Sequence, residues 1–136
     1  MAFDDAELWT RFHDRTLTHD EWNHRSHVRI AYLHLQKYPF DEALSRLRSS
    51  ILELNASHGV VETNVRGYNE TITVAFLRIL EAVRKAYACE GTSDDFCDQN
   101  PQIMTPKVLR LYYTSERLWQ DGAKETFVEP DLSRLP

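Results

Sequence analysis

Glycine is scarce, with four residues in 136, and no two of them stand close enough to build a phosphate-cradling loop. No G-x-S-x-G is present, so the strained turn that presents a nucleophilic serine is excluded. Cysteine is scarcer still. Cys89 and Cys97 form no C-x-x-C, which excludes zinc-ribbon spacing. They are expected to be two reduced thiols. No apolar run reaches the roughly 18 residues that a membrane helix needs. The N-terminus MAFDDAELW is acidic where a secretory signal would be basic, so the cytoplasm is the expected compartment and no membrane partner is expected. A basic run is missing as well. With a net charge of −5 and a pI near 5.6, nucleic acid is not an expected partner. Neither an internal repeat nor a low-complexity stretch is found, and no segment alternates at period two.

What is present is ordinary globular composition, 42% apolar and 27% charged. The clearest helix signal lies in THDEWNHRSHVRIAYLHLQKY, Thr18 to Tyr38, which holds four of the six histidines. Thr18 and Glu21 have capping-box spacing, Leu17 and Trp22 can form a hydrophobic staple, and Pro39 ends the run. These signals predict a helix from about 19 to 38. His24, His27, Ala31, His34 and Tyr38 then share one line at a/d spacing, among apolar Val28, Ile30, Tyr32, Leu33 and Leu35. Histidines on a buried helix need partners, because unpaired polar groups inside are costly.

The remaining signals are also helical. Asp4 and Glu7 predict a helix of about 12 residues with Leu8, Trp9 and Phe12 inward. After Pro39, a periodic stretch puts Phe40, Ala43, Leu44, Leu47, Ile51, Leu54 and His58 on one face, and Gly59 is the expected left-handed stop. A long connection follows, and NETITVAFLRILEAVRKAYACEG starts the next helix, with Ile72, Ala75, Phe76, Ile79, Val83, Ala86 and Tyr87 inward. Residues 92–100 suggest a short capped helix. Thr105-Pro106 is an N-cap with proline at the first helical position, and places Val108, Leu111 and Tyr112 inward. One more turn starts at Thr114, and the tail AKETFVEPDLSRLP is expected to lie extended over the body. The prediction is an all-α fold of five or six helices in a single domain, residues 1–136.

Two clusters carry chemistry. His24 and His27, at i, i+3, can converge and could share a metal with a third ligand from elsewhere. A structural alternative is that they satisfy backbone groups. His13, His19 and His58 read as surface or cap residues. The junction GYNETIT gathers Tyr68, Asn69, Glu70, Thr71 and Thr73 at a helix start, where free amides favour negative charge. Its plain alternative is capping by Asn69 or Thr71, with Glu70 in the first turn for its dipole. If the two clusters pack together, Glu70 or Tyr68 could orient His27.

The pattern WNHRSHVRIAYLHL, the GYNETIT junction and the closing FVEPDLSRLP resemble a group of small proteins of bacteria and fungi, over Phe12 to Pro136. In that group the junction reads Tyr-His-Glu-Thr, so Asn69 stands where the resemblance expects histidine. In size and class the chain is also similar to the norbornene synthase of sordarin biosynthesis, a cofactor-free intramolecular Diels–Alder enzyme. The resemblance implies a cofactor-free, metal-free cyclase or isomerase of secondary metabolism acting on an apolar small molecule. Trp22, Phe76 and Tyr112 would line its cavity with Thr71 and Thr73, and His24, His27, Tyr68 and Asn69 would donate to a carbonyl, with Glu70 completing the catalytic set. The alternatives are a metal-dependent enzyme using His24, His27 and Glu70, and a non-catalytic helical binding module. A homodimer is left open.

Overall fold

The computed structural model describes residues 3–136 as six α-helices and two 3-10 segments, with no strand among them. The helices are α1 (Asp5–His13), α2 (His24–Lys37), α3 (Phe40–Ser57), α4 (Glu70–Ala86), α5 (Ser93–Gln99) and α6 (Ser115–Leu118). The 3-10 segments are Pro101–Ile103 and Pro106–Leu111. The all-α expectation holds.

α2 is the central element: α1, α3, α4 and α5 all pack against it. Its start corrects the expected boundary. The Thr18–Glu21 box does form, with Thr18 N donating to Glu21 Oε1 at 2.9 Å and Glu21 N to Thr18 Oγ1 at 3.2 Å. It heads a single turn. A second capping box then restarts the helix, in which Asn23 Oδ1 accepts from Ser26 N and Ser26 Oγ accepts from Asn23 N. An Asn-x-x-Ser pair competes for the same role as Thr-x-x-Glu, and here each pair caps its own segment.

Arg29 on α2 is buried, 4% exposed, and organises the contact with α1 and α5. Its guanidinium donates to the Phe3 carbonyl at 2.7 Å, to Asp5 Oδ1 at 3.1 Å and to Ser93 Oγ at 2.7 Å. Ser93 in turn donates to the Asp5 carboxylate through its amide and its hydroxyl. Burial pushes the Asp5 pKa up, but the Ser93 and Arg29 hydrogen bonds outweigh it and hold the carboxyl below its usual value. Nearby, Tyr32 stacks on Phe96 at 4.1 Å between ring centroids.

α4 is buried on more sides than its sequence pattern predicts. Ala75 and Ile79 face inward as expected, but so do Thr71, Val74, Leu77 and Leu80, whereas Tyr87 is 66% exposed. Leu77 and Leu80 turn to the space shared with α2 and α3, whereas Thr71 is covered by the tail. Thr71 Oγ1 donates to the Ala123 carbonyl at 2.6 Å and accepts from Val128 N at 3.1 Å, while Glu70 N donates to the Lys124 carbonyl at 2.8 Å. Tyr113 Oη donates to the Val128 carbonyl at 2.7 Å, and Leu135 is buried. The extended tail therefore straps the outer side of α4.

A second correction falls at Pro106–Leu111. Three residues per turn replace 3.6, so Leu109 is buried and Leu111 points outward, 67% exposed. Gly59, at φ +72°, ends α3 as expected. Gly67, at φ +99°, lets the Glu62 carboxylate occupy the space a Cβ would need. That carboxylate accepts from Tyr68 N and from Lys124 Nζ, both at 2.9 Å, tying the long connection to the tail. Cys89 and Cys97 are free thiols.

Removing Arg29 takes the cation from the half-buried Asp5 carboxylate and leaves the buried Ser93 hydroxyl with only its bond to Asp5. Arg29→Ala is expected to cost about 2–3 kcal/mol, read as a fall in the urea midpoint at pH 7. A loss below about 1 kcal/mol would show the network to be dispensable.

Candidate functional site

A cavity of about 300 Å³ opens where α2, α3 and α4 meet. From α2 and the turn before it come Trp22, Asn23, His24, His27, Val28 and Ala31. Leu47 and Ile51 of α3 form one wall. Ile72, Thr73, Phe76, Leu77 and Leu80 of α4 form the opposite one, with Pro106 at the rim. No Asp, Glu, Lys or Arg lines it. Its volume is at the lower end for small-molecule sites, which are mostly apolar with a few placed polar groups.

The polar groups are fixed by α2's own backbone. His27 Nδ1 lies 2.6 Å from the carbonyl oxygen of Asn23, which also accepts the His27 amide at 3.0 Å. A carbonyl only accepts, so Nδ1 carries the proton and Nε2 keeps its lone pair. Nε2 has no hydrogen-bond partner among the described residues. The ring stacks on Trp22 at 3.7 Å, and Trp22 stacks on Phe12. His27 keeps solvent-exposed surface. The protein atoms crowded around the ring still desolvate it and push its pKa down, to about 4, against the Asn23 hydrogen bond and with help from His24. The imidazole is thus neutral at pH 7. His24 donates from Nε2 to the Ile103 carbonyl at 3.0 Å and meets Phe76 edge-on. In its neutral form it too presents only a lone pair, at Nδ1. Thr73 Oγ1 donates to the Asn69 carbonyl at 2.8 Å. The Trp22 indole N–H has no partner among the described residues.

The structure brings Trp22, His24, His27, Thr73 and Phe76 together at one cavity. It separates the other predicted residues into different tasks. Glu70 is held by Arg48 in a bidentate pair, Nε–Oε1 at 2.9 Å and Nη2–Oε2 at 2.6 Å, and accepts from Tyr68 Oη at 2.7 Å. The Arg48 hydrogen bonds hold the Glu70 carboxyl below its usual value despite burial. Burial, then the bond to Glu70, pushes the Tyr68 phenol up to about 12. No hydrogen bond joins His27 to Tyr68, Asn69, Glu70 or Thr71; the junction touches the cavity through Ile72 and Thr73, and Thr73 also lies beside the Tyr68 phenol. Asn69 caps α4, its Oδ1 accepting from Ile72 N at 2.9 Å, and its Nδ2 is buried without a partner. The Thr71 hydroxyl is engaged by the tail, and Tyr112 ends the second 3-10 segment outside the cavity wall.

No group of three or more His, Cys, Asp or Glu side chains is gathered as a ligand set among the described residues. His24, His27 and Glu70 in particular do not converge, because Glu70 is turned to Arg48. Arg48 was invisible as a site residue in the sequence; the one available signal was a cation set between Leu47 and Ile51 on the apolar stripe of α3. No helix among the described residues is long and apolar enough to cross a membrane. No known protein family, curated protein or solved structure matches the chain.

His34 stands apart from the cavity. It is about 10 Å beyond His27 along the axis at 1.5 Å per residue, and packs against Trp9, Phe12 and His13 of α1. It is fully buried; Nδ1 donates to the Ile30 carbonyl at 2.7 Å and Nε2 has no partner. Burial pushes its pKa down to about 4, with the charges of His13, Arg46 and Lys37 adding to the effect. Since the folded value lies below the free one near 6.5, the unfolded chain takes up the proton first as pH falls. Stability is complete above about pH 6.5 and declines towards pH 4, by about 2 kcal/mol between pH 7 and pH 5 from this residue. His27, pushed down as well, acts in the same direction. Urea unfolding across that range, with proton NMR titration of the ring, measures it. A His34 ring titrating near 6.5 would contradict its buried, neutral state.

Proposed function

We propose that this chain is a small, cofactor-free enzyme that cyclises or isomerises an apolar metabolite held in the cavity between α2, α3 and α4. The observation that carries this is an apolar chamber, with no carboxylate or cation in its lining, and two imidazoles at its wall, each held by one backbone carbonyl. An imidazole with a pKa pushed down to about 4 is a weak base at pH 7. What the chamber offers is confinement: a flexible apolar molecule folded against Leu47, Ile51, Phe76 and Leu80 loses conformers that cannot react. Unimolecular ring closure or rearrangement is the chemistry that gains most from this. The same geometry argues against His24 and His27 as donors to a carbonyl, since Nε2 of His24 and Nδ1 of His27 each already face a backbone carbonyl. Among the lining groups the Trp22 indole N–H is left for that part.

A second reading, a binding module without turnover, has one observation in its favour. No carboxylate backs His27, and the Glu70 carboxylate is tied to Arg48.

Cyclisation and isomerisation leave molecular mass unchanged, and this sets the test. Purified protein is incubated with apolar extract from the producing organism and followed by chromatography with mass detection. The expected result is loss of one compound and growth of an isomer of equal mass. Filling the chamber by Ala31→Trp should abolish the conversion, and His27→Ala should slow it about tenfold or more. Saturable retention of a compound with no isomer formed would establish the binding module instead.

A further inference from the structure

We infer that the cavity selects neutral hydroxyl compounds, alcohols or phenols of roughly ten to fifteen non-hydrogen atoms, over carbonyl compounds, ethers and carboxylates of the same shape. This rests on the cavity being the binding site and specifies its ligand.

The inference follows from where each proton goes. His27 has its proton on the Asn23 carbonyl, so the nitrogen left over, Nε2, is an acceptor. His24 has its proton on the Ile103 carbonyl. The Thr73 hydroxyl proton goes to the Asn69 carbonyl. The lining is therefore rich in unused lone pairs, with the Trp22 indole N–H as an unpartnered donor. A ligand that fills the chamber covers His27, whose Nε2 has no protein partner. Unless it brings a donor of its own, it leaves a desolvated acceptor unpaired, the costly case. A hydroxyl gives its proton to the imidazole and keeps lone pairs that an indole N–H can use. An ether or ketone can accept only, and offers His27 nothing. A carboxylate is excluded more strongly, because no cation lines the wall and the lone pairs there repel it. Arg48, the cation nearest in sequence to the wall residues Leu47 and Ile51, is already neutralised by Glu70.

The test uses three matched probes, 4-propylphenol, its methyl ether 4-propylanisole, and 4-propylbenzoate, titrated calorimetrically into the full chain at pH 7. The phenol is expected to bind at least about tenfold more tightly than the ether, and the benzoate not measurably. In His27→Phe, which keeps a ring against Trp22 but removes the lone pair, the phenol should fall to within about twofold of the ether. Ala31→Trp should abolish binding of both. The ranking in the unaltered protein needs no variant, so a poorly folding His27→Phe leaves the test intact. If the ether binds as tightly as the phenol, and Ala31→Trp blocks both, the hydroxyl preference is wrong while the cavity stands as a binding site. If no probe binds, or Ala31→Trp changes nothing, the preference and the cavity both fall.

Discussion

The carbonyl oxygen of Asn23 decides what this molecule can do. It accepts the amide of His27, which closes the first turn of α2, and it accepts Nδ1 of the same residue. One atom thus starts the central helix and sets the tautomer of the imidazole on the cavity wall. Had the helix started at His19, as the Thr18–Glu21 box suggests, residue 23 would lie inside the helix, without the capping box that now holds it. The second box, Asn23 with Ser26, places the helix start one turn before His27, and His34 repeats the same i−4 bond to the Ile30 carbonyl further along the helix.

Everything around α2 is arranged so that a helix touched by four others can carry polar groups. Arg29 is answered by Asp5, Ser93 and the Phe3 carbonyl on the α1–α5 side. His34 is answered once, by Ile30, and is kept neutral among the rings of α1. Only towards α3 and α4 does the packing stop short of α2, and there the side chains are aliphatic or aromatic apart from His24, His27, Asn23 and Thr73. Charge is held outside that space: Glu70, which could have been drawn in, is clamped by Arg48 and Tyr68. The tail contributes by engaging Thr71 from the far side of α4, which fixes the face of that helix that Phe76 and Thr73 present to the cavity.

Much of this was legible in the sequence. Local rules of capping, periodicity and breaking residues locate five of the six α-helices within a few residues, because those rules act over three or four positions. They also single out His24, His27, Trp22, Thr73 and Phe76, which do meet. What local rules miss is competition and distance. Two adjacent capping boxes look alike on paper, and only the fold shows which one starts α2. The Arg48–Glu70 pair joins residues 22 apart, and the tail's grip on Thr71 spans 52; neither leaves a periodic trace. The 3-10 geometry after Pro106 turned Leu111 outward for the same reason: the proline signals a start but not the pitch that follows.

The most direct test of the account is the protonation state of His27, observed by nitrogen-15 NMR of the ring across pH 4 to 8. The account predicts a neutral imidazole at pH 7 with the proton on Nδ1 and a bare Nε2, gaining its second proton only near pH 4. A proton on Nε2 at pH 7, or titration near 6.5, would contradict it.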